Sequence, residues 1–136
     1  TSGANNGLGI RAPLEGNPAY QGMEIQILDN TADKYRDKLK PYQYHGSIYG
    51  VVPAIRGYLK SVGQWNNEIV IAKGNYIKVI LNGKTILETN IKEASKGGTM
   101  DNRKHPGLKR ESGHIGFLGH GSVVEFRNIM IKELND

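Results

Sequence analysis

Cysteine is absent from the 136 residues of this chain. Its absence excludes a disulfide framework and any metal site built on thiolates. No apolar run approaches the ~20 residues that a membrane-spanning helix needs, so no membrane span is predicted. Tryptophan and phenylalanine are also scarce, with one and two residues, whereas glycine occurs 18 times. This composition is typical of many short strands joined by turns.

Charge of one sign is not concentrated anywhere in the chain. The 18 lysines and arginines exceed the 13 acidic residues, for a net charge of +5. They are scattered among the acids and form no dense basic run. No nucleic-acid-binding motif is present, so the sequence predicts no nucleic-acid partner. The length suits one domain over residues 1–136.

Short β-rich runs separated by turn residues predict the fold. Asn82–Gly83 is a strong hairpin signal between two such runs. The predicted strands cover residues 8–11, 23–28, 47–52, 67–72, 76–81, 85–89, 113–118 and 123–134. No helix longer than a turn or two is expected. The pattern therefore predicts an all-β fold, an antiparallel β-sandwich or jelly roll.

The predicted strand at 23–28 separates two kinds of side chain. Ile25 and Ile27 are expected in the core, and Glu24 and Gln26 on the opposite face, because side chains alternate along a strand. In such sandwiches each sheet buries one face and leaves the other for solvent or ligand. Glu24 and Gln26 are therefore candidates for a ligand-facing surface.

The segment at 105–129 holds three of the four histidines. Within it, Ile115 and Phe117 are expected in the core, and His114 on the opposite face. His120 follows between two glycines, which let a ligand come close. The alternative is that each histidine is an ordinary surface residue. The clustering favours a polar site presented from a rigid sheet.

Several segments occur in an order that resembles one family. They are NGLGIR, GMEIQILD, GSIYGVV, GQWNNEIVIAKGNYIKVILNG and HPGLKRESGHIGFLGHGSVVEFRNIMIKEL. Together they resemble the 3-keto-disaccharide hydrolase domain family, over nearly the whole chain. The resemblance implies a concanavalin A-like jelly roll and a secreted, periplasmic or cell-surface bacterial protein. It also implies a domain that lacks its N-terminal strands, since the family usually begins some tens of residues before the strand ending at Arg11. Leu118 is a second departure, because family members often carry Gln there.

The resemblance implies that a carbohydrate binds on the concave sheet. Polar groups for sugar hydroxyls and an aromatic ring for the sugar face are expected there, with Trp65 as an alternative platform unless it packs in the core. The candidate substrate-binding residues are Arg11, Gln26, Tyr44, His45, Tyr49 and Arg110, and the candidate catalytic residues are Glu24, His114 and His120.

Related glucanases of this fold carry two or three acids alternating along one strand. Here the corresponding strand reads Glu24-x-Gln26-x-Leu28, which gives poor support to a mechanism with two carboxylates. The resembled family implies another route, in which a base removes the acidic C2 proton of a 3-keto sugar, the glycosidic oxygen leaves and water adds back. Glu24 or a histidine could be the base, and His114 or His120 the acid. Arg11, Arg110 or a metal could hold the enolate.

No cofactor is required by these residues, and a divalent metal remains open. His114, His120 and Glu24 could converge on zinc or manganese. The aspartates at 29, 33 and 37 match no EF-hand spacing. Two functions follow. The first is a hydrolase of glycosidic bonds, for which the resemblance implies 3-keto-glycosides or 3-keto-disaccharides as substrates. The second is a non-catalytic carbohydrate-binding module on the same fold. The oligomeric state is left open.

Overall fold

Two antiparallel sheets of three strands each form the sandwich in the computed structural model, which describes residues 1–134. One sheet has the order β2-β1-β6 and the other the order β3-β4-β5. The strands are β1 (Asn5–Ala12), β2 (Met23–Leu28), β3 (Glu68–Lys73), β4 (Tyr76–Leu81), β5 (Lys84–Asn90) and β6 (His114–Phe117). The predicted antiparallel β-sandwich is therefore confirmed.

Helical structure is limited to single turns, as predicted. The α-helices are α1 (Pro18–Gln21) and α2 (Ile91–Ala94), and 3₁₀ turns lie at Pro41–Gln43 and Pro106–Lys109. The short helix α1 begins at Pro18 because Asn17 caps it, accepting a hydrogen bond from the Ala19 N–H. Across residues 1–134, none of these helices has the length or apolarity to cross a bilayer.

The meander β3-β4-β5 forms where the sequence predicts it. Its two-residue turn at Asn82 and Gly83 has φ values of +50° and +81°, and Leu81 pairs directly with Lys84. Both turn residues need the left-handed region, which Asn and Gly adopt most readily. The turn that Asn82 and Gly83 form therefore sets how β4 and β5 pair next to it.

The core lies between the two sheets. The sheet β2-β1-β6 contributes Met23 and Ile25 of β2 and Ile10 of β1, and each is at most 6% exposed. The sheet β3-β4-β5 contributes the alternating residues Ile77 and Val79 of β4. Ile27 is only half-buried, so the expectation of full burial was wrong for that residue.

The outer edge of β2 is covered by the segment at 46–49. Gln26 N–H donates to the Ser47 carbonyl at 3.0 Å, and Tyr49 N–H donates to the Glu24 carbonyl at 2.9 Å. Ile25 and Ile48 form an antiparallel bridge between these two bonds. The predicted strand at 47–52 was wrong in form, because tight turns at 48–52 allow only isolated bridges. The segment still extends the first sheet beside Glu24.

The expected packing of the last strands was wrong. Ile115 and Phe117 are 55% and 43% exposed rather than buried, and Phe117 instead stacks on Phe126 with ring centroids 3.8 Å apart. No strand forms at 123–134, a range that lies wholly within the described residues. Because β6 packs against β1 and contributes nothing to the core, its apolar face has no opposing sheet.

Candidate active site

One face of the first sheet brings the predicted polar residues together. Glu24 of β2 lies opposite Gly9 of β1, and Gly9 lies opposite Gly116 of β6. His114, two residues from Gly116 along β6, shares that face because side chains alternate along a strand. Glu24, Gln26 and His114 therefore belong to one sheet face, although His114 is exposed.

Glu24 is buried on this face instead of facing solvent. It is only 5% exposed, because Gly7 of β1 leaves the space that its side chain fills. A Cβ added to Gly7 would collide with the Glu24 carboxylate oxygen and would lie 2.7 Å from its Cγ and Cδ. Within residues 1–134 no hydrogen bond or ion pair reaches this carboxylate, and its oxygens are not among the enclosed atoms without a partner. The carboxylate oxygens therefore keep a small exposure to solvent.

Burial raises the pKa of Glu24 from its ordinary value of 4.5 to about 7, since desolvation disfavours the charged form. A carboxyl that titrates near neutrality is suited to accept and return a proton at physiological pH. The same strand carries Gln26, also 5% exposed, where the related glucanases carry a second acid. Glu24 is thus the one carboxyl group on β2 rather than one of a carboxylate pair.

The raised pKa predicts a pH-dependent stability. Below pH ~4.5 the carboxyl is protonated in both states, whereas above pH ~7 the folded protein must hold a buried charge. Stability from this group is therefore lost as the pH rises between these values. Relative to a Glu24→Gln variant, the wild type should lose about 2 kcal/mol of unfolding free energy between pH 5 and pH 8. Urea unfolding of both proteins at the two pH values measures this difference, and an unchanged difference would contradict it.

The two candidate catalytic histidines do not contact Glu24. His114 and His120 are both exposed, and no hydrogen bond or ion pair joins either to Glu24 in the described chain. In residues 1–134 no group of three or more His, Asp or Glu side chains is arranged to hold a metal ion. The convergence of these three residues on a metal was therefore not found. The catalytic roles of both histidines stay predictions.

Arg11 and Arg110 bind each other's backbone. The Arg11 guanidinium donates to the Arg110 carbonyl at 3.3 Å, and Arg110 Nε donates to the Arg11 carbonyl at 2.9 Å. Burial lowers the pKa of Arg11, and Glu111 partly offsets this. Arg11 has φ +50° at the point where the β1–β6 register shifts. These contacts tie the end of β1 to the segment before β6, and substrate binding by the two arginines stays a prediction.

His45 joins the two sheets. Its Nδ1 accepts a hydrogen bond from the Leu28 N–H at 3.2 Å, so the ring proton is carried by Nε2, which lies 2.7 Å from Glu68 Oε2. The His45 side chain is 8% exposed. These contacts give His45 a structural role, and its contact with substrate stays a prediction.

The aromatic candidates are separated. The Tyr44 ring lies under the Arg56 guanidinium at 4.3 Å, and the Trp65 ring under that of Arg127 at 4.0 Å. Trp65 is 41% exposed, so it is not packed in the core. Of these aromatic candidates only Tyr49 adjoins Glu24, because its N–H donates to the Glu24 carbonyl and places the segment at 46–49 beside β2.

Sequence reasoning missed a cluster next to Tyr49. The Asp101 carboxylate and His105 Nε2 are 2.9 Å apart, and both side chains are at most 5% exposed. The Tyr20 ring packs on His105 with centroids 4.8 Å apart, and its hydroxyl accepts a hydrogen bond from Arg103 at 2.8 Å. The i, i+4 spacing of Asp101 and His105 was the available signal, but these residues lie outside the predicted strands.

Asp101 is held in its charged form by its neighbours. Burial acts to raise the pKa of this carboxyl, but hydrogen bonds from His105, the Arg103 backbone and Thr99 together lower it. The negative charge of Asp101 is thereby stabilised by hydrogen bonds within the cluster.

The comparisons with known proteins agree with this architecture. A family described as the 3-keto-alpha-glucoside-1,2-lyase-like domain matches residues 1–132. The chain belongs to this family. A 3-keto-disaccharide hydrolase of Bacteroides thetaiotaomicron is 31% identical over 130 residues, covering 82% of this chain and 44% of the relative. This member of the lyase-like family thus spans less than half of that curated relative.

Solved structures extend the likeness to the fold. A presumed glycosyl hydrolase from Parabacteroides distasonis superposes with a TM-score of 0.67 at 32% identity, covering 88% of this chain and 66% of that one. A second from the same organism has a TM-score of 0.67 at 23% identity, with coverages of 90% and 61%, and supports the fold alone. The family member described here thus shares its sandwich with glycosyl-hydrolase-like proteins.

Proposed function

We propose that this domain cleaves the glycosidic bond of 3-keto-glycosides, with Glu24 as the base. The observation that carries the proposal is Glu24 itself, a buried carboxyl with no partner in the described chain and a pKa of about 7. A carbohydrate-binding module does not require a group that exchanges a proton near neutral pH, and burying a carboxyl group costs stability. The name of the Bacteroides relative supports the same substrate class.

The ketone makes one base sufficient. The Glu24 carboxylate takes the proton from C2, and the C–H electron pair forms an enolate with the C3 carbonyl. When that pair returns, the C1–O bond breaks, and the departing oxygen takes a proton. Water then adds to the C1–C2 double bond, with its hydroxyl at C1 and a proton at C2, so the net reaction is hydrolysis. His114, on the same sheet face, is our proposed donor to the departing oxygen.

The substrate comparison tests this proposal. Purified protein is incubated with a 3-keto-disaccharide and with the same disaccharide unoxidised, each with and without chelator. We expect cleavage of the keto-sugar alone, because only the ketone acidifies the C2 proton. Equal cleavage of both sugars would contradict the elimination route. Binding without any cleavage would instead favour the carbohydrate-binding module. Loss of cleavage with chelator would indicate that a metal stabilises the enolate, and unchanged cleavage would indicate that side chains do.

A further inference from the structure

The turn at 99–105 is fixed beside Tyr49. The Asp101 N–H donates to the Gly50 carbonyl at 3.1 Å. Gly50 has φ +77°, and a Cβ there would lie 2.5 Å from Asp101 Oδ2 and 2.8 Å from the His105 ring. Only glycine allows this approach without strain. The turn and its Arg103 therefore adjoin Tyr49, which in turn adjoins Glu24.

The side chains of this region present hydrogen-bond donors. The Tyr49 hydroxyl accepts a hydrogen bond from Gln43 Nε2 at 3.4 Å, and the Tyr20 hydroxyl accepts one from Arg103 at 2.8 Å. A hydroxyl that accepts in this way keeps its own proton to donate. The Tyr42 ring packs edge-on against Tyr49 with centroids 6.0 Å apart and restricts its orientation. Arg103 adds a permanent positive charge and further N–H groups.

Glu24 and this cluster have complementary hydrogen-bonding groups and charge. Glu24 is an acceptor with no donor bound to it, and the cluster supplies donors and a cation one strand further along. Glu24 and Tyr49 flank the Ile25–Ile48 bridge and share a backbone hydrogen bond. Residues that face each other in this way have Cβ atoms about 5 Å apart. That separation suits a substrate whose acidic C–H and carbonyl oxygen lie on adjacent carbons.

We propose that Tyr49 and Arg103 bind the C3 oxygen of the keto-sugar and hold its negative charge as Glu24 removes the C2 proton. Tyr20 and Tyr42 are positioning residues for these two donors. This inference rests on the proposed function. It assigns the enolate to Tyr49, a substrate-binding candidate of the sequence, and to Arg103, which the sequence did not indicate. Arg11 and Arg110 instead donate to backbone carbonyls.

Two substitutions test the assignment directly. Tyr49→Phe and Arg103→Met should each lower kcat on the 3-keto-disaccharide by about 100-fold with KM changed only a few-fold, because the donors act mainly on the developing charge. Arg103→Lys should recover part of the loss, since it keeps the charge without the fork. The rise of activity with pH near 7, which belongs to Glu24, should persist in all three variants.

Matched controls separate this role from a structural one. Tyr76→Phe removes a hydroxyl bonded to Glu88 on the other sheet, and Arg36→Met breaks an exposed pair with Asp33. Neither should change kcat. The assignment is overturned if the site variants match these controls, or if kcat falls only in proportion to a loss of folded protein measured by circular dichroism.

If the wild type showed no turnover, the proposed function would be wrong, but binding measurements could still test the cluster as a ligand site. Calorimetry with the 3-keto-disaccharide then measures affinity. Weakening of about tenfold or more in Tyr49→Phe and Arg103→Met, at the ~1.4 kcal/mol that one hydrogen bond can contribute, would keep the cluster as a ligand site. Unchanged affinity would overturn it.

Discussion

Replacing Glu24 with glutamine is expected to lower turnover of a 3-keto-disaccharide by about 100-fold or more, as loss of a general base does. Glutamine keeps the shape of the side chain and fills the space beside Gly7, but it cannot accept the C2 proton. The folded state should survive, and above pH ~7 it should gain stability because the buried charge is gone. Initial rates with the keto-sugar, together with urea unfolding at pH 8, measure both effects.

A second glutamate provides the control for this substitution. Glu93 lies exposed in α2, so Glu93→Gln removes one carboxylate from the surface without entering the site. It should leave turnover unchanged. If Glu24→Gln turned over as fast as Glu93→Gln, Glu24 would have no part in the reaction.

Replacing Gly7 with alanine is expected to abolish most activity while leaving the fold intact. The added methyl group would occupy the position of a Glu24 carboxylate oxygen and lie 2.7 Å from Cγ and Cδ, so the whole Glu24 side chain must adopt another rotamer. Misplacing a catalytic group by about 1 Å can lower the rate about 100-fold. Alanine in a strand interior is also favoured over glycine by roughly 0.5 kcal/mol or more. Turnover should therefore fall without a matching fall in the melting temperature.

Gly97→Ala is the matched control, because a Cβ at Gly97 meets nothing within 4 Å. It should retain wild-type turnover. If Gly7→Ala kept full activity, the position of the Glu24 carboxylate beside Gly7 would not matter to the chemistry. Loss of folding in Gly7→Ala would show that the space between β1 and β2 is part of the packing rather than part of the site.

The alternating patterns predicted six strands that the structure has, but also two that do not form, and they did not predict the environment of the strands. Met23–Leu28 and Tyr76–Leu81 have the predicted bounds, because alternation and turn residues are local properties. Burial of Ile115 and Phe117 would require a strand of the other sheet over β6, and within residues 1–134 none lies there. That is a tertiary property, and a period-2 pattern carries no information about it.

The same limit applies to the site. Alternation placed Glu24 and His114 on one sheet face, and the register confirms this shared face. Burial of Glu24 depends on Gly7, which lies on another strand, so the sequence of β2 could not show it. Tyr49 and Arg103 are brought together by hydrogen bonds at Gly50 and Tyr20, across separations of tens of residues. No local pattern predicts such contacts.

Exchange of the C2 hydrogen is the most direct test of the claim that Glu24 removes this proton. A 3-keto-disaccharide is incubated with enzyme in deuterium oxide, and the product is analysed by NMR against a sample without enzyme. We predict deuterium at C2 with the wild type, at a rate that rises with pH around the Glu24 pKa of about 7, and none above background with Glu24→Gln. Cleavage without deuterium at C2, or exchange undiminished in Glu24→Gln, would contradict the account.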